Sequence, residues 1–228
     1  MIWNNSQATV LMRETKREFR YQNTVVLTLS MKYPEISLRN SPIAETRINA
    51  RIHSQTTRFT RYASNTLYRQ AVRDYKNALS QGYPFRPYEA ILNYQVPYYE
   101  NCYLSAYRDQ YEYTGGAHGS TIRLSDTWNL KTGARIPLSR FFPRGSSYRK
   151  FLIDQIVKQV EHNMHQNPDI YFADYKTRIY KYFDPESYYL TPSGLCIYYQ
   201  QYTIAPYATG IALFLISYRT LQWYPSCI

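Results

Sequence analysis

Four histidines, three cysteines and a pronounced excess of arginine carry most of the chemistry this chain could perform. His118 stands in Tyr113-Thr114-Gly115-Gly116-Ala117-His118-Gly119. A turn with three glycines in five positions, Gly115, Gly116 and Gly119, can hold an imidazole in the open or aim backbone N–H groups at an anion. It can equally be a tight structural turn that His118 bonds across. No nucleophile or carboxylate is fixed beside His118 by spacing, so a catalytic triad would need partners from elsewhere. His162 and His165, three apart and next to Glu161, share a helix face and could start a metal site, but two ligands do not close one. No metal and no cofactor are therefore expected. Asp169, Asp174, Asp184 and Glu186 form a loose carboxylate cluster, and nothing sets the separation that a glycosidase pair requires.

The arginines offer a sharper pattern. At 100° per residue, Arg47, Arg51, Arg58, Arg61, Arg69, Arg73 and Lys76 fall within one arc of about 120°. Asp74 is the one acidic residue in 46–80 and lies outside that arc. Such a stripe is either the solvated back of a surface helix or an anion-binding face. The whole chain carries 27 Lys+Arg against 16 Asp+Glu, a net +11, with +7 of it in residues 1–100. Anionic partners are favoured accordingly. The 27 tyrosines pose the same choice between interior and surface. Tyr103, Tyr107, Tyr111 and Tyr113 alternate onto one strand face and could stack a sugar ring or a partner protein. The pairs Tyr98-Tyr99, Tyr188-Tyr189 and Tyr198-Tyr199 point to opposite sides of their strands, so at most half of those rings line one surface.

The elements that must position these residues follow from periodicity. Residues 17–33 alternate as a strand, and Tyr33-Pro34 is expected to end it. From about 45 to 80 there is neither Pro nor Gly, and Ile48, Ile52, Phe59, Ala63, Leu67, Ala71 and Tyr75 recur at spacings of four or seven. This predicts a helix of about 50 Å, broken at most once and stopped by Gly82-Tyr83-Pro84. Residues 89–113 read as two strands and 120–130 as another. Ser147 is placed to cap a helix to about Gln166 with Phe151, Leu152, Ile156, Val160 and Met164 on its apolar face. Two strands about Pro192-Ser193-Gly194 and one from Gly210 to Ser217 complete an α+β fold, a mostly antiparallel sheet packed by one long helix (about 45–80) and one medium helix (about 147–166). Two modules, 10–120 and 121–228, are expected to form one compact unit.

Cys102, Cys196 and Cys227 contain no C-x-x-C pair. Cys102 and Cys196 both lie in predicted strands, so they are read as buried free thiols or as bridged to one another. No apolar run reaches the ~18–20 residues that span a bilayer. Residues 1–12 show no basic region followed by an apolar one, so the expectation is cytoplasmic if this is the native N-terminus and extracytoplasmic if a leader preceded it.

The glycine turn, followed by Trp128-Asn129-Leu130-Lys131-Thr132-Gly133 and Pro137-Leu138-Ser139-Arg140-Phe141-Phe142, resembles the signature of the PdaC/RsiV-like family. Tyr188-Tyr189-Leu190-Thr191-Pro192-Ser193-Gly194-Leu195 and the stretch from Tyr202 to Ile211 are similar to its C-terminal module. Tyr33-Pro34-Glu35-Ile36 and Ile48-Asn49-Ala50-Arg51-Ile52 are similar to its opening strand and helix. The resemblance spans about residues 17–222. It implies a recognition module of the kind found in an anti-sigma factor that senses lysozyme and in a peptidoglycan deacetylase, whose separate catalytic domain has no counterpart pattern here. The expected role is non-catalytic binding of a cell-wall polymer or envelope protein. Lysozyme is a poor electrostatic match, since a basic lysozyme and a chain of +11 repel. The alternatives are a wall-glycan hydrolase using His118 and the carboxylates of 169–186, and nucleic-acid or other polyanion binding through the arginine stripe.

Overall fold

A computed structural model describes residues Ala8–Cys227. The fold is α+β, with a five-stranded mixed sheet in the order β1-β2-β3-β4-β5 and a three-stranded sheet β6-β7-β8. The chain divides into two compact units. One comprises Ala8–Gln95 with Arg108–Ile122, and the other Val96–Tyr107 with residues 123–227.

In the first unit, β1 (Ala8–Tyr21) and β2 (Thr24–Leu38) form a long antiparallel hairpin, and β2 pairs in parallel with β3 (Tyr88–Tyr98) over Leu27–Lys32. The sheet is thus mixed rather than uniformly antiparallel. Strand β2 also runs on through Pro34 to Leu38 instead of stopping there. Pro34 lies past the end of the β3 pairing, where β2 has one strand neighbour and a missing N–H is tolerated.

Beyond that point a helix takes over the role of the absent strand. Asn49 on α1 (Pro42–Tyr62) accepts from the Ile36 N–H at 2.9 Å and donates to the Ile36 carbonyl at 2.7 Å. Glu45, one turn earlier, accepts from the Leu38 N–H at 2.6 Å. Residues i and i+4 of a helix are stacked along one face, and residues i and i+2 of a strand share one side. The two periodicities bring Glu45 and Asn49 opposite Leu38 and Ile36.

The long helix is helical from Pro42 to Gln81, with Gly82 at φ +72° closing it. Its single interruption is a π turn at Ala63–Leu67 between α1 and α2 (Tyr68–Gln81). The sequence explains it. Phe59, Ala63, Leu67 and Ala71 are all buried and all four apart, a spacing that drifts about 40° per step on an α-helix. The wider i→i+5 closure of a π turn under-winds the chain and absorbs part of that drift. Buried Ile48, Ile52 and Phe59 lie on a helix packed against β2, whose Leu27, Leu29 and Met31 are buried as well.

The second unit is built on α3 (Tyr148–Gln166), α4 (Tyr175–Tyr182), the hairpin β6 (Tyr188–Thr191)–β7 (Gly194–Tyr199), β8 (Ala212–Ser217) and the short α5 (Tyr218–Leu221). Ser147 occupies the N-cap position of α3 but its side chain makes no capping bond. Leu152, Ile156 and Val160 of α3 pack with Leu195, Ile197 and Phe214 of the sheet. Every residue of β7 is buried, which sends both Tyr198 and Tyr199 into the interior.

Cys102 is bonded to Cys227, and Cys196 is the free, buried thiol. The two readings of Cys102 and Cys196, as free thiols or as a bridged pair, are therefore corrected for Cys102 alone, which is bonded to Cys227, while Cys196 is the buried free thiol of the first reading. Helix α5 turns the last residues back, and Trp223 lodges against Phe141 and Tyr103 with ring centroids 4.6 and 6.0 Å away. That packing brings Cys227 to Cys102.

Candidate functional site

The seven cations of the expected stripe all belong to the first unit. Arg47, Arg51, Arg58 and Arg61 project from α1, Arg69, Arg73 and Lys76 from α2, and all seven are exposed. Arg73 contacts Asp74 at 3.4 Å, Lys76 lies 4.9 Å above the Tyr21 ring, and the Arg69 Nε donates to the Asn65 carbonyl at 2.9 Å. The side chains of Arg51, Arg58 and Arg61 make no hydrogen bond, ion pair or ring contact among the described residues. An exposed row of cations on one rigid element, three of them uncompensated, is a surface on which an anion lowers the electrostatic free energy.

The glycine turn lies between β4 (Tyr103–Tyr113) and β5 (Ser120–Asn129). Gly115 and Gly116 adopt φ of +92° and +90°, which side-chain-bearing residues avoid. Gly119 is required for a different reason: a Cβ there would stand 2.5 Å from the Glu112 carbonyl oxygen and the Tyr111 ring. Tyr113 donates to the Gly116 carbonyl at 3.1 Å. Tyr113, Gly115 and Gly116 line a cleft of about 370 Å³ with Phe85, Arg86 and the Tyr88–Asp74 hydrogen-bonded pair. Burial first, then the Asp74 carboxylate, pushes the Tyr88 phenol up to about 12. His118 is exposed and outside that cleft, with Nδ1 3.1 Å from the Gly119 carbonyl oxygen.

The tyrosine face divides. Tyr103, 9% exposed, belongs to the core of the second unit. In that unit Tyr107 lies 4.8 Å from Tyr189, with the Arg123 guanidinium 3.9 Å above its ring. Tyr111 and Tyr113 support the glycine turn in the first unit. Tyr188, Tyr189, Tyr198 and Tyr199 are all buried. Buried tyrosine hydroxyls work as interior staples: Tyr199 donates to the Ile179 carbonyl, Tyr218 to the Thr191 carbonyl and Tyr94 to the Gln55 side chain. An aromatic ring that fills the core while its O–H satisfies a stray carbonyl accounts for much of the tyrosine excess.

Of the four carboxylates at 169–186, Asp169 is exposed, and the other three, like Glu161, are committed separately. Asp174 pairs with Arg178 at 2.7 Å, Glu161 with Lys176 at 2.7 Å, Asp184 accepts from Ser187, and Glu186 pairs with Arg135. Among the described residues no three His, Cys, Asp or Glu side chains gather into a metal cluster, and no helix is long and apolar enough to cross a membrane.

A second cleft, of about 390 Å³, opens in the second unit between Cys102-Tyr103, the 129–141 stretch and the Trp223–Ser226 segment. Arg135 sits in it, held by Asp126 at 2.7 Å and by Glu186. Burial works to lower the Arg135 guanidinium, but its bond to Glu186 and the two carboxylate charges outweigh burial and hold it above its usual value. Arg140 lies close enough to the Tyr103 phenol that its charge opposes the upward push of burial there. Two of the motifs singled out in the sequence, 128–133 and 137–142, wrap this cleft, although their residues gave no functional reading by themselves.

Comparison with known proteins matches two successive stretches of the chain. The family model described as Deacetylase PdaC matches residues 21–121, and the one described as Protein of unknown function (DUF3298) matches residues 139–219. No curated protein matches. Two solved structures share the fold. A DUF3298 family member from Bacteroides fragilis is 22% identical, with a TM-score of 0.59 over 95% of this chain and 92% of that one. A DUF3298 family protein from Pseudomonas aeruginosa is 17% identical, with a TM-score of 0.61 over 94% of this chain and 92% of that one. The chain is thus similar to the PdaC model over 21–121 and to the DUF3298 model over 139–219, in that order.

Proposed function

We propose that the protein is a non-catalytic binding module that recognises an anionic polymer of the cell envelope through the cation face of α1 and α2. The observation that carries this reading is the row of seven exposed cations, with Arg51, Arg58 and Arg61 uncompensated. Adjacent like charges on a helix repel unless a counter-charge relieves them. A polymer with regularly spaced phosphates or carboxylates supplies that counter-charge along the whole helix. The Cys102–Cys227 bond supports an extracytoplasmic setting, because such bonds persist in oxidising compartments. A teichoic-acid-like wall polymer meets both conditions, whereas a basic lysozyme does not.

Purified walls and immobilised lysozyme should be offered to the protein at rising salt. Retention on walls that falls steeply with salt, and that is lost in the Arg51→Glu, Arg58→Glu, Arg61→Glu triple variant, is the expected result. Equal retention of the triple variant, or none on either support, removes the proposal.

A further inference from the structure

We propose that the cleft in the second unit is a binding site for a sugar ring bearing a carboxylate, recognised through Arg140, Asn129 and Ser226. The inference is independent of the helix face.

The cleft combines three kinds of surface. Its charge is accounted for first. Arg135 is neutralised by Asp126 and Glu186, whereas the Arg140 guanidinium has no hydrogen-bond or ion-pair partner among the described residues. One uncompensated guanidinium matches one carboxylate, which it can grip with two parallel N–H bonds. A polyanion would find one cation too few.

Uncommitted hydrogen-bonding groups come next. The Asn129 Oδ1 accepts from the Lys131 and Thr132 N–H groups at 2.8 and 3.0 Å, which fixes the amide and leaves its Nδ2 without a partner among the described residues. The Ser226 hydroxyl is likewise unengaged. These groups suit the hydroxyls of a sugar better than the edge of an aromatic acid. Finally, the half-buried Trp223 contributes an aromatic wall suited to the C–H face of a ring. The volume is at the lower end of small-molecule sites, in keeping with one or two rings.

The Trp223–Ser226 wall is held in place by α5 and by the Cys102–Cys227 bond. The cleft is thus pre-formed on both sides, and ligand binding does not have to order the 223–226 segment.

The same ring could be a free monosaccharide or the end of a longer glycan. NMR of the intact protein with labelled tryptophan, following the Trp223 indole N–H, tests the site with glucuronic acid, a hyaluronan tetrasaccharide, neutral glucose and benzoate. Saturable shifts with glucuronic acid or the tetrasaccharide are expected, and the tighter of the two identifies the source. Glucose should bind at least tenfold more weakly. Arg140→Ala should lose roughly ten- to hundredfold in affinity, and Arg140→Lys should recover part of it. The Arg51, Arg58, Arg61 triple variant should bind these sugars unchanged, which separates this site from the polymer-binding face. No saturable shift with either acidic sugar, an unaltered Arg140→Ala, or tighter binding of benzoate than of glucuronic acid would overturn the proposal.

Discussion

Replacing Asn49 tests whether a helix side chain can stand in for a strand. Its amide closes two hydrogen bonds, of 2.9 and 2.7 Å, to the N–H and carbonyl of Ile36, a residue 1% exposed. Asn49→Ala leaves both backbone groups without a partner, and each unsatisfied buried group costs about 1–3 kcal/mol. Asn49 itself is half-buried, so water can reach part of the gap. The expected loss is then near the lower end of the sum, about 2–3 kcal/mol. For a protein of this size that lowers Tm by roughly 4–12 °C. Asn49→Leu, which keeps the bulk and removes the bonding, should lose as much; a cavity effect alone would spare it. Urea denaturation measures the loss, and amide exchange localises it, because the Ile36 N–H should exchange faster while the N–H groups of β3 do not. A change below about 0.5 kcal/mol in both variants, with Ile36 still protected, would refute the idea that Asn49 replaces a strand.

Four further outcomes are expected. Gly119→Ala forces a Cβ to 2.5 Å from the Glu112 carbonyl oxygen and the Tyr111 ring, an overpacking worth about 1–3 kcal/mol; an unaltered thermal melt would contradict the geometry. At alkaline pH, the phenols of Tyr88, Tyr188, Tyr189, Tyr199 and Tyr218 are all pushed up, chiefly by burial. The folded state therefore holds protons that the unfolded chain releases near pH 10, and stability must fall as pH rises from about 10 towards 12. Phenolate absorbance of these residues should appear together with loss of near-ultraviolet dichroism, and full ionisation of all 27 tyrosines near pH 10 in a native spectrum would argue against it. Thiol titration in denaturant without reductant should find one thiol per chain, Cys196. Cys227→Ser should destabilise by about 2–5 kcal/mol, since the bridge spans 125 residues; three titratable thiols in the native preparation would show that the bridge does not form.

The long helix was legible because its apolar residues repeat without a breaker, and even the π turn is implicit in a spacing of four sustained from Phe59 to Ala71. The β6–β7 hairpin was equally clear, since Pro192-Ser193-Gly194 has one economical conformation between two apolar runs. The N-terminal half of β1 was not. As an edge strand it alternates charged residues with half-buried ones, and Arg13, Glu14 and Lys16 read as loop or linker when the neighbouring strand is unseen. Helix α4 was hidden within a tyrosine-rich stretch of modest helix propensity, and its buried anchor is Ile179. The second cleft was beyond local reading because its walls come from three separated segments. The motifs 128–133 and 137–142 marked two of its edges, and nothing in the sequence linked them to Trp223.

The burial of Cys196 has a consequence for the bond it does not join. A third cysteine is a standing threat to a disulfide, since a thiolate can attack either sulfur and pass the bond to a wrong partner. Cys196 is 4% exposed, and burial raises its thiol further than the Tyr189 hydrogen bond and the Arg123 charge lower it. Little thiolate exists, and it sits where another sulfur has no line of approach. Exchange must then wait for the second unit to open, so the fidelity of the Cys102–Cys227 pairing is set by the unfolding rate of the β6-β7-β8 sheet. Loosening that sheet, even without touching either bonded cysteine, would let the bridge scramble.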